Sequence, residues 1–394
     1  MRERSASEVL LVFLKLGITS FGGPIAHIGY FREEIVVRRR WLDDAAFTDV
    51  VALCQFLPGP ASSQVGFSLG LIRASYVGGL AAWLGFALPS AVLMTLFAYG
   101  AHVLAGPTGT GLIHGLKIVA VAIIAQAVWG MARTLCPDRQ RASIACVSAL
   151  IILFSGSSIA QIGAILLGGT AGFWMCRAST PISANSLGFP ASRRVGLIAL
   201  SAFFLLLFVL PALAGFSPGI ALFDAFYRSG ALVFGGGHVV LPLLRDAFVT
   251  PGWVSEDTFL AGYGAAQALP GPLFTFAAYL GTVVRHSPNG VAGAVFGLIG
   301  IFLPGILILL GALPFWDGLR RCVGAQATMS GINAAVVGLL GAALYDPVWT
   351  SSVKSSGDFA VALTSFVLLT AWRAPPLVVV ILGALSGIAL VNAR

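Results

Sequence analysis

Phe21-Gly22-Gly23-Pro24, with His27 close behind, is followed by Trp41, Gln55 and Leu57-Pro58-Gly59-Pro60. Phe234-Gly235-Gly236-Gly237-His238 is followed by Trp253, Gln267 and Leu269-Pro270-Gly271-Pro272. In both copies LPGP starts 16 residues after the tryptophan, and the glutamine stands 14 residues after it. One cluster has been duplicated. Glycine and proline end or kink helices, so the duplication sets breaks at matching points of two apolar halves. That is the sequence pattern of a transporter whose site lies between repeats.

Hydrophobic residues make up 58% of the 394-residue chain and charged residues only 10%, so its apolar stretches must meet lipid as well as each other. The expected class is an all-α, polytopic membrane protein. Met1-Arg2-Glu3-Arg4 leads into an apolar segment that carries Lys15, which does not resemble a cleavable signal and is expected to stay in place. Cys54, Cys136, Cys146, Cys176 and Cys322 show no CxxC spacing and read as small core hydrophobes. No Walker A loop, HExxH or GxSxG occurs, so neither ATP hydrolysis nor zinc proteolysis is indicated, and no cofactor or metal is expected.

Continuous apolar spans cover 77–104, 111–132, 143–154 and 159–176 in the first half. Those of the second half are 290–313, 326–344, 359–372 and 377–391. We expect a first membrane repeat over 1–176, a cytoplasmic linker over 177–194, a connecting transmembrane helix over 195–215 and a second repeat over 216–394. The motif segments differ from the continuous spans. Segment 9–29 is broken at Gly22-Gly23-Pro24 and segment 45–72 at Pro58-Gly59-Pro60. Pieces of about a dozen residues reach roughly 20 Å as helix, short of a hydrocarbon core of about 30 Å, and read as re-entrant or discontinuous helices.

If each broken segment returns to the side it entered, one side collects Arg2, Arg4, Arg32, Arg38, Arg39, Arg40, Arg73, Arg133, Arg139, Arg141, Arg177, Arg193, Arg194, Arg320, Arg321 and Arg373. Only Arg245, Arg285, Lys354 and Arg394 face them from the other side. The positive-inside rule makes the arginine-rich side cytoplasmic. The first half then starts inside and the second outside, which makes the two repeats inverted.

Laying Phe21 on Phe234 places Lys15 on Arg228 and Arg32-Glu33 on Arg245-Asp246. Lys15 and Arg228 are cations in apolar segments six residues before each FGG, read as having no acid one helical turn away. Burying such charges is costly. Together they would suit a divalent anion; separately, each could snorkel to a headgroup or find a local acid. Arg32-Glu33 and Arg245-Asp246 read as interfacial loop charges. After Pro60 come Ser62, Ser63 and Gln64, hydroxyls and an amide at a helix start, where free N–H groups favour anions. In the second copy only Thr275 offers a matching hydroxyl. The glycines Gly22, Gly23, Gly235 and Gly236, the glutamines Gln55 and Gln267, the LPGP residues and the histidines His27 and His238 complete the candidate substrate set. Packing kinks and core hydrogen bonds are the simpler account of each. Asp49, an acid in an apolar stretch, is the candidate proton carrier; Lys117 reads as a snorkelling lysine at the lipid edge.

FGGP with its histidine, RRRW, QFLPGPASSQ, GGLAAWLGFALPS, FGGGHVVLPLL, AQALPGP, IGIFLPG and GINAAVVGLLGAALYDPVW together resemble the chromate transporter family in its long, two-repeat form, over residues 8–392. The resemblance implies a bacterial inner-membrane secondary transporter that exports chromate, driven by the proton motive force, and so confers chromate resistance. Chromate is a tetrahedral dianion like sulfate, so sulfate or another oxyanion is the alternative substrate. A non-transporting receptor or scaffold is the alternative class. A homodimer is compatible with such a fold, although no interface signature is visible.

The charge bias makes a testable topology. Cysteines placed singly at the N-terminus, at Arg38–Arg40 or in the 177–194 linker should resist a membrane-impermeant thiol reagent added outside the cell, while Ser351–Ser356 should react. Labelling of the linker from the periplasm would overturn the inverted arrangement.

Overall fold

A computed structural model describes residues 5–21, 23–103, 107–155, 158–176, 192–234, 239–319 and 322–392. Among these residues the regular structure is helical throughout. In chain order the helices are α1 (Ala6–Thr19), α2 (Gly23–Phe31), α3 (Asp44–Phe56), α4 (Ala61–Val103), α5 (Pro107–Leu135), α6 (Arg139–Ser155), α7 (Ser158–Met175), α8 (Arg193–Leu213) and α9 (Pro218–Ala231). They continue as α10 (Val240–Phe248), α11 (Glu256–Ala268), α12 (Phe276–Val283), α13 (Gly290–Ala312), α14 (Trp316–Leu319), α15 (Val323–Ala343), α16 (Thr350–Ser352), α17 (Ser356–Thr370) and α18 (Pro376–Asn392). Among the described residues, each continuous span expected from the sequence lies in a helix, overrunning its end by two residues at most. Among the described residues, five helical stretches are long and apolar enough to cross a bilayer: Ala61–Gly100, Gly109–Leu135, Arg193–Phe216, Gly290–Phe315 and Val323–Ser352. The chain is a multi-pass membrane protein.

Two compact units form, and neither coincides with a sequence repeat. The first gathers Met1–Thr95, Pro181–Gly237 and Leu269–Arg321; the second gathers Leu96–Thr180, His238–Ala268 and Cys322–Arg394. Each unit therefore draws on both halves of the chain.

In the first unit the helices start where the sequence supplies caps. The Ser5 hydroxyl accepts from Ser7 N–H at α1, Asp43 accepts from Ala46 N–H at α3, and Ser217 precedes Pro218 at α9. α1 and α3 have 14 and 13 residues and end at the breaks, at Ser20 and Leu57. Their core is aromatic and tight: Phe13 and Phe31 meet edge-on at 5.5 Å, and Phe31 meets Phe86 at 5.0 Å. α4 is two arms, because Ala74 (φ −144°) and Ser75 (φ 58°) leave helical geometry. The two arms correspond to α12 and α13 of the second repeat. In both repeats the arms cross at glycines: a Cβ on Gly70 would sit 2.2 Å from the Gly78 carbonyl oxygen, and one on Gly281 2.0 Å from that of Gly293.

In the second unit α5 packs against α11, α15, α17 and α18, while α15 also packs against α6 and α7. Glycines sit at these crossings too, since a Cβ on Gly115 would lie 2.2 Å from the Gly383 carbonyl oxygen. Close backbone approach through small residues is how helices associate in lipid.

The structure revises the reading of Arg32 and Arg245. Both stand in helical segments, and each pairs with an acid at the start of the next helix. Arg32 holds Asp44 at 2.7 Å in the first unit, and Arg245 holds Glu256 at 3.0 Å in the second. Asp44 and Glu256 open α3 and α11, so each arginine clamps the start of the helix that leads to LPGP. Adjacent helical residues point apart, which favours partners from another element over the neighbouring acids. The backbone closes alike in both copies, with Trp41 N–H on Ile35 C=O and Val254 N–H on Phe248 C=O, each at 3.0 Å.

Gly281→Ala should lower the thermal midpoint of the detergent-solubilised protein, because overpacking costs about 1–3 kcal/mol. Gly130→Ala on α5, where a Cβ meets open space, should be neutral or stabilising. Equal midpoints for the two variants would refute the close crossing of α12 and α13.

Candidate functional site: the crossed breaks

The two kinds of break meet within the first unit, each against the one from the other repeat. Gly59 N–H of the first LPGP donates to the Val233 carbonyl, just before the second FGG, at 2.7 Å. Gly271 N–H of the second LPGP donates to the Ser20 carbonyl, just before the first FGG, at 2.9 Å. The pair is reciprocal, as a pseudo-two-fold requires. Gly59 (φ +118°) and Gly271 (φ +95°) adopt backbone conformations that favour glycine. They are also too crowded for a side chain: a Cβ on Gly59 would lie 3.0 Å from Gly305 Cα, and one on Gly271 3.1 Å from Ser90 Cβ.

Polar side chains frame this crossing, and all are buried. Gln64 Nε2 donates to the carbonyls of Pro58 and Gly305, each at 2.9 Å. Across the pseudo-symmetry Ser90 Oγ meets Thr275 Oγ1 at 2.6 Å, and Thr275 donates to the Pro272 carbonyl at 2.8 Å. Having spent its one proton there, Thr275 must accept from Ser90. His27 Nδ1 is 3.4 Å from Ser62 Oγ, its ring also hydrogen-bonds the Ser20 backbone, and it stands edge-on to Phe86 at 5.2 Å. Ser20 Oγ, Ser63 Oγ and Gln64 Oε1 are buried with no hydrogen-bond partner among the described residues. Leaving such groups unsatisfied is costly, so three of them beside one crossing is a ligand signal.

The expectation that Lys15 and Arg228 lack nearby acids is corrected. Lys15 Nζ bonds Glu34 Oε2 at 2.9 Å, and Arg228 Nη2 bonds Asp224 Oδ2 at 2.6 Å. Asp224 lies one turn before Arg228 and was legible; Glu34 is brought by the π-helical turn Arg32–Arg38 that follows α2. Burial pushes the Glu34 carboxyl up, but hydrogen bonds from Lys15 and Arg39 outweigh it and hold the group below its ordinary range. Both cations remain about half exposed, at 53% and 49%.

Pro58 and Pro60 flank Gly59, and Pro270 and Pro272 flank Gly271, all within the first unit. Gln55 is exposed on α3, and Asp49 is buried two turns before the break. Gln267 belongs to the second unit, where it hydrogen-bonds Tyr263. Lys117, expected at the lipid edge, reaches Asp257 at 2.5 Å. Gly23 starts α2 with φ +79°. Gly22, Gly235, Gly236 and His238 lie outside the described residues. Sequence reasoning missed Ser20, Ser90 and Gly305. For Ser90 and Gly305 the signal was present, because Leu88-Pro89-Ser90 and Leu303-Pro304-Gly305 are repeat counterparts.

The family model for the chromate transporter matches residues 7–173 and again 220–388. The chain belongs to the chromate transporter family. It is 30% identical over 352 residues to a chromate transport protein of Pseudomonas aeruginosa, covering 87% of this chain and 81% of that protein. It is 25% identical over 369 residues to a chromate transport protein of Cupriavidus metallidurans, covering 91% and 86%. The uncharacterized transporter YwrA of Bacillus subtilis is 29% identical over 157 residues, 37% of this chain but 86% of its own length. No solved structure matches the chain. The double match, one in each half, agrees with the duplication seen in the sequence.

Gln64→Leu removes the donor that ties Pro58 to Gly305 and strands two buried carbonyls, at about 1–3 kcal/mol. The denaturation midpoint in micelles should fall accordingly, whereas Gln55→Leu should leave it unchanged. A Gln64→Leu midpoint equal to that of the parent would show that the amide does not bridge the repeats.

Proposed function

We propose that this protein exports chromate across the bacterial inner membrane, driven by the proton motive force, and so confers chromate resistance. The observation that carries the reading is the reciprocal pair of breaks at Gly59 and Gly271, framed by buried hydroxyls and amides with open valences. A tetrahedral dianion needs several donors converging from different directions. The hydroxyls of Ser20, Ser62 and Ser63, the His27 ring and the N–H groups at the start of α4 provide that chemistry. Lys15 and Arg228 supply the countercharge. In this reading each releases its carboxylate, Glu34 or Asp224, as the oxyanion arrives. Asp49 carries the coupled proton. Relatives named as chromate transport proteins support the choice of oxyanion; sulfate is the competitor to be excluded.

Uptake of labelled chromate into inverted membrane vesicles tests the proposal directly. Uptake should saturate, require a pH gradient and resist excess sulfate. Lys15→Gln and Arg228→Gln should weaken binding by about 1.5–3 kcal/mol, the range for hydrogen bonds to charged groups. Arg32→Gln is the control, because its pair with Asp44 is exposed on both sides and such pairs contribute little. Asp49→Asn should abolish gradient-driven accumulation while binding persists. Parental behaviour of both cation variants would move the site elsewhere, and a pH-gradient dependence unchanged in Asp49→Asn would remove that residue from coupling.

A further inference from the structure

The second unit holds a titratable pair that none of the duplicated motifs contains. α5 presents His114 and Lys117 one turn apart, and each meets a carboxylate from another helix. Lys117 reaches Asp257 on α11, whose side chain is 72% exposed. His114 Nε2 lies 2.8 Å from Asp358 Oδ1 on α17, and Asp358 is 0% exposed. The second oxygen of Asp358 accepts Lys354 N–H at 2.9 Å, and its own N–H bonds Ser355 Oγ at 3.1 Å. Asp358 is thereby fixed at the start of α17 and shut off from water. The His114 side chain, 17% exposed, is the less buried member of the pair.

The pair is electrically unlike the lysine and arginine pairs of this protein. A buried carboxylate needs a countercharge, and an imidazole provides one only while protonated. Other ionisable groups on the elements packed against α5 are Glu256, Asp257 and Tyr263 from α11, with Tyr345, Asp346 and Lys354 from the segment around α16. Glu256 is held by Arg245 and Asp257 by Lys117. α15 and α18 contribute no ionisable side chain. Across the α5–α17 contact, His114 is the side chain that meets the Asp358 carboxylate. Because a carboxylate only accepts, Nε2 carries the hydrogen in the neutral ring, and Nδ1 is the lone pair that takes an incoming proton. Uptake makes one N–H bond and release breaks it; nothing else is exchanged.

We propose that His114 and Asp358 form a proton-binding site, distinct from the crossed breaks, whose occupancy sets the strength of the α5–α17 contact. A proton bound at His114 turns a neutral hydrogen bond into an ion pair, so α17 is drawn to α5 in the protonated state and loosened in the other. The site goes beyond the oxyanion reading and rests on it only for the transport arm of the test.

Proton uptake by the purified full-length protein in detergent, titrated over about pH 5–8, where histidine ordinarily changes charge, tests the site without any substrate. The parent should take up about one proton per chain more than His114→Gln and His114→Lys. His114→Lys keeps a permanent cation on Asp358, so it guards against a merely misfolded variant. In proteoliposomes, chromate-dependent proton flux in His114→Lys should fall about tenfold, within the usual range of site-to-site coupling, while gradient-free chromate exchange persists. Uptake by His114→Lys equal to that of the parent would overturn the site and leave a helix staple. Lost uptake with undiminished proton flux would overturn its link to transport. If the parent moves no chromate, the oxyanion reading fails, and the titration still decides the site.

Discussion

Two hydrogen bonds, Gly59 N–H to Val233 C=O and Gly271 N–H to Ser20 C=O, are the constraint on which the first unit depends. A helix broken in an apolar medium exposes backbone donors and acceptors that no water can satisfy. Here the orphan donor of each LPGP takes the orphan acceptor of the opposite FGG. Neither break is tolerable alone, and the two repeats are bound to each other by the defects they share. Glycine is needed at both positions because the left-handed backbone and the other repeat's approach leave no room for a Cβ.

The backbone frame is symmetric, but the side chains on it are not. After the first LPGP come Ser62, Ser63 and Gln64; after the second come Phe274, Thr275 and Phe276, all buried. Gln64 reaches Gly305, while the equivalent crossing on the other side is Ser90 to Thr275. Polar capacity is concentrated on the first repeat, with His27 beside it, and the second presents aromatic rings. Duplication supplies the geometry, and divergence then gives the site one polar and one apolar wall.

The sequence disclosed what is periodic or punctuated, and hid what folding brings together. The apolar spans and the all-helical class are local signals, and among the described residues helices stand where those signals put them. The register between repeats also found Arg32 with Arg245. Their partners were not assigned from sequence, because Asp44 and Glu256 stand 12 and 11 residues further on, at the starts of the next helices. Glu34 reaches Lys15 only because a π-helical turn rotates it back onto α1. Asp224 was a different kind of miss, a plain one-turn pair that lay on the side of Arg228 away from the motif. His114 and Asp358 are 244 residues apart, and no periodicity links them.

Those partners change how charge can be handled in this molecule. A protein that moves a dianion through lipid must keep its cations balanced when no substrate is present, since an isolated charge at depth is costly. Glu34 and Asp224 do this for Lys15 and Arg228. On the proposed reading, oxyanion binding is an exchange of carboxylate for substrate, with no new charge created. Exchange limits the net gain, because each ion pair formed costs one ion pair broken, and binding that is not too tight is what release on the far side requires. The acids differ in a way that matters for this exchange. Glu34 also holds Arg39, so losing Lys15 leaves it paired, whereas buried Asp224 is ion-paired with Arg228. The Lys15 pair is therefore the easier to open, and a substrate would engage the first repeat before the second.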